Sequence, residues 1–363
     1  MSCKVLVTGG HLTPALATID VLLKENVEVV FVGKPRSLKT NDDESEMIKR
    51  KITFVGLKTG KLHRHSFVRA FLSLLILPIA LVNAIRIIRK SKPNVILSFG
   101  GYISVPLVFA GWLIGIPSIT HEQTNGAGLA NKINGLFVKK IALAFDDSKN
   151  FFPTKKTLVL GNPIRFNILN ENKELKSEIK KPFLYVTGGH QGSAVINNAL
   201  FNILDELIGG MNVIHSIGVS AKLEKDWQLA EKAMGIYPKR YIAQRYFGSN
   251  EVGWVMKNST LIVSRAGANT CTEIAHLNKP CILIPLPEGQ NNEQLVNARL
   301  LEKLGLAIVI IQSDLEQINL LNKIRYVDKN LDIFNSKLDE IKKYFPTDAA
   351  DRLAQLVMTL CKK

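Results

Sequence analysis

Cysteine is scarce in this sequence, and the few cysteines present form no motif. The 363 residues include four, Cys3, Cys271, Cys281 and Cys361. None of them belongs to a CxxC pair, so the spacing argues against a zinc ribbon, a thioredoxin-type redox motif and a disulfide-rich secreted scaffold. This pattern indicates a reducing compartment, the cytoplasm.

An export signal and an uninterrupted apolar run are also missing. The first predicted strand begins at Lys4 and leaves no room for the charged and apolar regions of a signal peptide. The most apolar segment, residues 67–90, is interrupted by Arg69, Pro78, Asn83 and Arg86. Its uncharged part is therefore shorter than the roughly 20 residues that a spanning helix needs.

Basic residues flank that apolar segment on both sides, among them Arg64, Arg89 and Lys90. Two interpretations are open. The segment lies on an anionic membrane surface, as basic amphipathic segments do, or it is a buried helix that covers a sheet.

Acidic residues are in deficit, with 31 Asp and Glu against 47 Lys and Arg and a net charge of +16. Such a balance favours an anionic partner: nucleic acid, an acidic membrane surface or a phosphorylated substrate. The acidic run at residues 41–46 follows a predicted strand in a polar segment and is interpreted as a solvated loop or helix start, so no metal site is predicted there.

Apolar runs alternate with helix-like stretches along the whole chain, which predicts two doubly wound α/β domains. We place the first domain at residues 1–162 and the second at 163–345, with a C-terminal helix at about 346–363 packing back on the first. The predicted strands are 4–7, 27–32, 52–57, 94–98, 118–121 and 141–144, then 183–186, 212–217, 241–243, 261–264, 281–285 and 307–310. Helices are predicted to start near Pro14, Ser66, Ser193, Thr270 and Glu293.

One glycine turn occurs twice, as LVTGGH at residues 6–11 and as YVTGGH at residues 185–190. Each copy follows a predicted strand and precedes a predicted helix, where backbone N–H groups bind phosphate. A dinucleotide dehydrogenase would need GxGxxG and an acidic residue after the second strand. Neither domain has that acid, so a nicotinamide cofactor is disfavoured.

Further motifs follow in order: SFGGYISVP (98–106), HEQTNGAGLANK (121–132), GNPIR (161–165), GGHQGSAVIN (188–197), SRAGANTCTEIAHLNKPCILIP (264–285) and NARLLEKLG (297–305). With these motifs the chain resembles the MurG family of membrane-associated glycosyltransferases. The resemblance implies a GT-B fold, two Rossmann-like domains facing across a cleft. It also implies inverting transfer of N-acetylglucosamine from UDP-GlcNAc to the C4 hydroxyl of N-acetylmuramic acid in lipid I, which gives lipid II for peptidoglycan synthesis.

The family's site residues carry over position by position. His11 matches the histidine near the acceptor hydroxyl and is the implied general base. The implied acceptor-binding residues are Gly9, Gly10, Gly100, Gly101, Tyr102, Ser104, His121, Glu122, Thr124 and Asn125. The implied donor-binding residues are Arg165, Gly189, His190, Gln191, Ala268, Asn269, Thr270, Glu273, Glu293 and Gln294.

Simpler structural roles are the alternatives for several of these residues. His11 is alternatively a helix cap, Arg165 a surface ion-pair residue and Glu273 an acid that favours its helix dipole. His121 and Glu122 are alternatively buttresses of the site, and His190 a residue that shapes its loop.

The sequence also departs from the family pattern. The first glycine loop is a few residues shorter than usual, Thr124 stands where the family has asparagine, His190 replaces a serine, and Glu293 replaces the first of two glutamines.

Neither a cofactor nor a metal is expected, because no Asp-x-Asp pair follows a buried strand. Arg165 and the helix starts near Gly189 and Ala268 are expected to stabilise the departing UDP. The expected partners are UDP-GlcNAc, lipid I and an anionic membrane surface at the cytoplasmic face of the plasma membrane, and no nucleic acid. Two alternatives are another lipid glycosyltransferase, such as a diacylglycerol glycosyltransferase, and a non-catalytic protein that binds sugar nucleotide or lipid.

Overall fold

The structure is a computed structural model that describes residues 3–35, 42–59, 67–164, 179–287, 292–315, 320–335 and 338–361. The chain divides into two compact units. Unit one comprises Met1–Ile164 and Pro346–Lys363, and we call it the acceptor unit after the role that the family resemblance implies for it. Unit two comprises Arg165–Phe345, and we call it the donor unit, again after the role that the resemblance implies. The division lies two residues beyond the boundary predicted at residue 162.

The acceptor unit contains a parallel sheet flanked by helices. Its strands are β1 (Lys4–Gly9), β2 (Glu28–Gly33), β3 (Thr53–Gly56), β4 (Val95–Phe99), β5 (Ser118–Glu122), β6 (Lys140–Leu143) and β7 (Thr157–Val159). Its helices are α1 (Leu12–Lys24), α2 (Asp42–Lys49), α3 (Phe67–Ser91), α4 (Ser104–Leu113) and α5 (Leu129–Phe137). The strand order is β3-β2-β1-β4-β5-β6-β7.

The donor unit repeats this architecture. Its strands are β8 (Phe183–Thr187), β9 (Asn212–Ser216), β10 (Tyr241–Gln244), β11 (Leu261–Ser264), β12 (Cys281–Leu283) and β13 (Ala307–Val309), in the order β10-β9-β8-β11-β12-β13. The helices are α6 (Ala194–Phe201), α7 (Leu204–Ile208), α8 (Glu224–Ile236), α9 (Ser249–Asn258), α10 (Ala268–His276), α11 (Glu293–Lys303), α12 (Leu320–Lys329) and α13 (Leu338–Tyr344). The final helix, α14 (Ala349–Cys361), belongs to the acceptor unit.

Both sheets are parallel and covered by helices on both faces, which explains their strongly apolar central strands. Every residue of β4, for example, is buried. In each sheet the strand order reverses once, between β1 and β4 and between β8 and β11. Ligands of such folds bind beyond the carboxyl ends of the strands at that switch point.

All twelve predicted strands are present, with ends shifted by at most two residues. Strand β7 was not predicted, because its three half-buried residues follow a lysine-rich turn and give no alternating pattern. The acidic run at residues 41–46 was interpreted as a loop or helix start, and α2 begins there at Asp42.

The apolar segment at residues 67–90 forms α3, and the side chains of residues 67–77 lie outside the described part. In the rest of the helix Ala80, Ala84 and Ile88 are buried at a spacing of four, which places one helical face on the sheet. Ile79 and Val82 are exposed on another face. This part of the segment is thus a covering helix with an additional exposed apolar surface. Among the described helices, none is long and apolar enough to cross a membrane.

Cys3 and Cys361, a pair that was not predicted, form a disulfide although 358 residues separate them in the sequence. Helix α14 packs on α1 and β4, and its residues Leu353, Val357 and Leu360 join the core around β1. This packing brings the end of α14 to the start of β1. Spacing along the chain does not reveal such a pair, since only the tertiary fold creates it. Cys271 and Cys281 are buried free thiols.

We expect reduction of this disulfide to destabilise the acceptor unit. A crosslink that closes so long a loop typically contributes about 2–4 kcal/mol to the free energy of unfolding. Thermal melting with and without a reductant measures the effect, and the expected decrease in Tm is roughly 4–16 °C. The double variant Cys3→Ser, Cys361→Ser is the control, because its Tm should be the same with and without the reductant. An unchanged wild-type Tm, together with four titratable thiols in the unfolded oxidised protein, would contradict the pairing.

Candidate functional site

Two glycine loops meet at the switch point of the acceptor sheet. Gly10 N–H donates to the Gly100 carbonyl over 3.0 Å. Gly101 has a φ of +75°, and a Cβ there would lie 2.9 Å from the Gly10 nitrogen. A Cβ on Gly9 would lie 2.6 Å from the Cβ of Phe99. Both loops therefore need glycine, and together they present the start of α1, whose first N–H groups lack intrahelical acceptors.

His11 occupies the N-cap position of α1, but its side chain makes no capping hydrogen bond. The residue is exposed. Although part of the residue reaches solvent, protein atoms crowd around the ring, and the loss of hydration lowers its pKa; the charge of Glu122 partly opposes that shift. The imidazole is therefore neutral at pH 7 and able to accept a proton. The geometry gives no support to the capping alternative.

Glu122 organises the loop that follows β5. Its side chain is buried, and its Oε1 accepts from the Thr124 hydroxyl over 2.7 Å and from the Thr124 N–H over 3.0 Å. Oε2 accepts from Gly128 N–H over 2.8 Å and from Asn131 Nδ2 over 3.0 Å. Four donors thus stabilise a carboxylate that closes the loop on the start of α5. This arrangement supports the buttress interpretation of Glu122.

Two asparagines of α5 extend this network, and the sequence analysis missed both. Asn131 Oδ1 accepts from Thr120 Oγ1 over 2.6 Å, and its Nδ2 also donates to the His121 carbonyl. Asn134 Nδ2 donates to Ser104 Oγ over 2.8 Å. Ser104 Oγ in turn donates to the Gly101 carbonyl over 2.8 Å. Ser104 therefore holds the second glycine loop, while Tyr102 beside it is half-buried. The sequence feature that could have revealed them is the motif LANKIN, in which the two asparagines lie three residues apart and therefore on one face of α5.

His121 is a structural residue in this arrangement. It is buried, and its Nε2 lies 3.1 Å from the Gly161 carbonyl, which can only accept. Burial lowers the pKa of His121 to about 4, so the neutral ring donates from Nε2. Asn125 is half-exposed, and its Nδ2 lies 3.4 Å from Asp147 Oδ2.

The donor unit carries the other copy of the repeated Thr-Gly-Gly-His turn, between β8 and α6. Gly189 N–H donates to Thr187 Oγ1 over 3.0 Å, and Gly192 N–H donates to the Gly189 carbonyl over 3.0 Å. Ser193 caps α6, with its Oγ accepting from the Ile196 N–H. Gln191 is exposed at the tip of the turn. The backbone is closed on itself in the manner of a phosphate-binding loop.

His190 of that turn packs edge-to-face on Tyr246, with ring centroids 4.8 Å apart. Its carbonyl accepts from the Val219 N–H over 3.1 Å. Both contacts join the glycine turn to the loops that follow β9 and β10, so His190 shapes its loop.

A second helix start faces the same edge of the donor sheet. Ala268, Asn269 and Thr270 form the first turn of α10, which follows β11 across the switch point from β8. Glu273 lies one turn further and is buried. At the start of α11, Glu293 is half-buried and Gln294 Oε1 accepts from the Leu286 N–H over 3.0 Å. Arg165 lies outside the described residues.

Among the residues that the structure describes, no group of three or more His, Cys, Asp or Glu is placed to hold a metal ion.

Two Rossmann-like units, each with a glycine turn at its switch point, define the GT-B class. The structure of Acinetobacter baumannii MurG has a TM-score of 0.69 and 22% identity to this chain, and the match covers 98% of this chain and 99% of that one. A UDP-GlcNAc 2-epimerase from Neisseria meningitidis, bound to UDP-GlcNAc, has the same fold at 13% identity and a TM-score of 0.65. These likenesses confirm the predicted fold.

The glycosyltransferase family 28 N-terminal domain matches residues 7–143, and the family 28 C-terminal domain matches residues 183–353. A Clostridium kluyveri protein is 32% identical over 364 residues, covering 98% of both chains, and a Borrelia hermsii protein is 30% identical over 97% of this chain and 94% of its own. Both are named UDP-N-acetylglucosamine--N-acetylmuramyl-(pentapeptide) pyrophosphoryl-undecaprenol N-acetylglucosamine transferase. The chain therefore belongs to glycosyltransferase family 28, and within it to the MurG family.

Proposed function

We propose that this enzyme transfers N-acetylglucosamine from UDP-GlcNAc to the C4 hydroxyl of N-acetylmuramic acid in lipid I, forming lipid II. The observation that carries the proposal is the pair of glycine turns, one at the switch point of each sheet. Two diphosphates take part in this reaction, one in the acceptor and one in the donor. A turn of this kind offers each of them backbone N–H groups at a helix start.

The acceptor unit supplies the base. His11 is exposed and neutral at the start of α1, so its ring nitrogen accepts the proton of the attacking hydroxyl. The hydroxyl oxygen then forms a bond to C1 of N-acetylglucosamine while the bond from C1 to the phosphate oxygen breaks. UDP departs with that electron pair, and the configuration at C1 inverts.

The donor unit stabilises the departing UDP. The starts of α6 and α10 both lie at the carboxyl edge of its sheet, where their dipoles favour negative charge. We propose Arg165 as a further cation for this diphosphate, as the family resemblance implies. The proposed reaction uses no metal and no cofactor, and we expect full activity in EDTA.

Glu273 is proposed to accept hydrogen bonds from the ribose hydroxyls of UDP. Such charge-assisted bonds contribute about 1.5–3 kcal/mol, so Glu273→Ala is expected to raise the KM for UDP-GlcNAc roughly tenfold or more. Steady-state kinetics and calorimetry with UDP measure the effect. Glu231→Ala, which removes an exposed carboxylate of α8, is the control that should leave KM unchanged. Equal UDP affinity of the Glu273→Ala and wild-type proteins would exclude the role.

We further propose that the acceptor unit docks on the cytoplasmic face of the plasma membrane as a peripheral protein. Neighbouring helices α3, α4 and α5 expose large apolar side chains: Ile79, Val82, Trp112, Leu113 and Leu136. Exposed cations lie on the same elements, namely Arg86 and Arg89 on α3 and Lys139 just after α5. Apolar contact combined with basic charge is the arrangement that binds an anionic bilayer.

The protein should therefore sediment with vesicles that contain anionic phospholipid, and less so as salt rises. Replacing Leu75 and Leu77 would test the segment predicted from the sequence, but their side chains lie outside the described residues. The variant Trp112→Glu, Leu136→Glu changes described side chains and should abolish most of the sedimentation. Ile236→Glu, which changes an equally exposed residue of the donor unit, is the matched control. Unchanged sedimentation of the double variant would refute this docking face.

The test of the proposed activity is a pair of reactions with radiolabelled UDP-GlcNAc, one with a lipid I analogue and one with diacylglycerol. Thin-layer chromatography should show a labelled lipid with lipid I alone. Product with diacylglycerol alone would assign a different lipid glycosyltransferase. Absence of product in both, with UDP bound, would make the chain a binding protein.

A further inference from the structure

Arg265 is a buried arginine at the switch point of the donor sheet, and nothing in the proposed reaction has used it. It follows β11 directly, between β8 on one side and β12 on the other. The whole residue is only 9% exposed. An arginine after a strand ordinarily extends into solvent, so its burial at this edge requires an explanation.

The guanidinium contacts three other loops at the carboxyl edge of the sheet. Nη2 donates to Ser193 Oγ over 2.9 Å, in the glycine turn after β8, and to Gln312 Oε1 over 2.7 Å, after β13. Nη1 donates to the carbonyls of Ile284 and Pro285, after β12, over 3.0 and 3.2 Å. One planar group therefore fixes the relative positions of the loops after β8, β11, β12 and β13.

All four of these acceptors are uncharged. Within the described part of the chain, Arg265 makes no ion pair with a carboxylate. Burial lowers the pKa of the guanidinium, yet arginine starts so far above neutrality that it stays protonated. Its positive charge is poorly screened by water and lies one hydrogen bond from Ser193, the cap of α6.

We propose that Arg265 is a positioning residue that holds the donor-binding loops together and supplies a buried positive charge for the donor diphosphate. This inference rests on the proposed function, because it takes the glycine turn after β8 as the diphosphate site. The guanidinium donates to Ser193, the N-cap of α6, so its charge adds to the positive end of the α6 dipole beside the glycine turn. A nucleotide with two phosphates benefits from it most, a nucleoside monophosphate less, and an uncharged nucleoside hardly at all.

The test compares the affinities of wild-type protein and Arg265→Met for uridine, UMP and UDP by calorimetry. We expect the variant to bind UDP roughly 10- to 100-fold more weakly, the range of a lost charge-assisted interaction. UMP should lose less, and uridine less than about threefold. The same substitution at the exposed Arg325 of α12 is the matched control and should change none of the three affinities.

An equal loss for uridine, UMP and UDP would overturn the inference, since it would show a purely structural role. An unchanged UDP affinity would overturn it as well. Failure of the wild-type protein to bind UDP would instead refute the proposed function, so the two failures are distinguishable.

Arg265→Lys keeps the proposal testable if Arg265→Met does not fold. Lysine keeps the charge but cannot reproduce the planar fork, so it should retain the preference for UDP over uridine while weakening both. Complete loss of that preference in a folded Arg265→Lys protein would contradict the electrostatic part of the inference.

Discussion

Replacing His11 by asparagine is expected to lower kcat by roughly 10²- to 10⁴-fold, the usual contribution of a general base. The sugar hydroxyl is a poor nucleophile until its proton begins to leave, and asparagine cannot accept that proton. UDP binding belongs to the donor unit and should hardly change. Stability should also hardly change, because the His11 side chain caps nothing in α1. Single-turnover kinetics with lipid I, calorimetry with UDP and thermal melting measure the three quantities.

The pH profile gives an independent check of the same base. Because the pKa of His11 is lowered, protonation inactivates the enzyme only below pH 6.5. The acidic limb of kcat/KM should therefore lie below that value in wild-type enzyme and be absent in His11→Asn. Turnover of His11→Asn near the wild-type rate would remove His11 as the base. His121 would be a poor replacement, since it is buried and bonded to the Gly161 carbonyl.

Gly192→Ala is expected to abolish most donor binding. Gly192 has a φ of +81°, and a Cβ there would lie 2.1 Å from the Ile217 carbonyl oxygen and 2.7 Å from the Gly218 Cα. Both neighbours are backbone atoms that cannot rotate away, so the turn between β8 and α6 has to move. We expect UDP affinity to fall at least about 100-fold and the free energy of unfolding to fall by roughly 3 kcal/mol or more.

Gly189→Ala separates backbone strain from steric overlap. Gly189 also has a φ of +81°, but no heavy atom lies within 4 Å of its added Cβ. Its loss of stability should be only about 1 kcal/mol. Its UDP affinity should still fall, because the methyl group occupies space proposed for the diphosphate. Gly235→Ala, also with open space around its Cβ, is the neutral control. Equal stability of Gly192→Ala and wild type would contradict the crowded geometry.

Much of the fold was predictable from local patterns. Buried parallel strands are apolar runs, and the turns after β1 and β8 are glycine pairs, so both sheets and both switch-point loops follow from short stretches such as LVTGGH and YVTGGH. The C-terminal helix was predicted to pack on the first domain, and it does, but the Cys3–Cys361 disulfide was not predictable because the sequence does not show that the end of α14 meets the start of β1.

The sequence resemblance names candidate site residues, but the contacts that they make in the fold could not be predicted. Glu122 was found by resemblance, yet its four donors are set by the loop that folds around it. Arg265 stands in the motif SRAGAN beside residues that were chosen, but arginine in sequence gives no sign of burial. Its contacts with the loops after β8, β12 and β13 are visible only in the folded structure.

Structural analysis of the product tests the central claim most directly. Purified enzyme, UDP-GlcNAc and a lipid I analogue should yield one lipid-linked disaccharide, with UDP as the second product. Nuclear magnetic resonance should show N-acetylglucosamine attached in the β configuration to the C4 oxygen of N-acetylmuramic acid. An α linkage, attachment at another oxygen, or conversion of UDP-GlcNAc without any glycolipid would contradict the account.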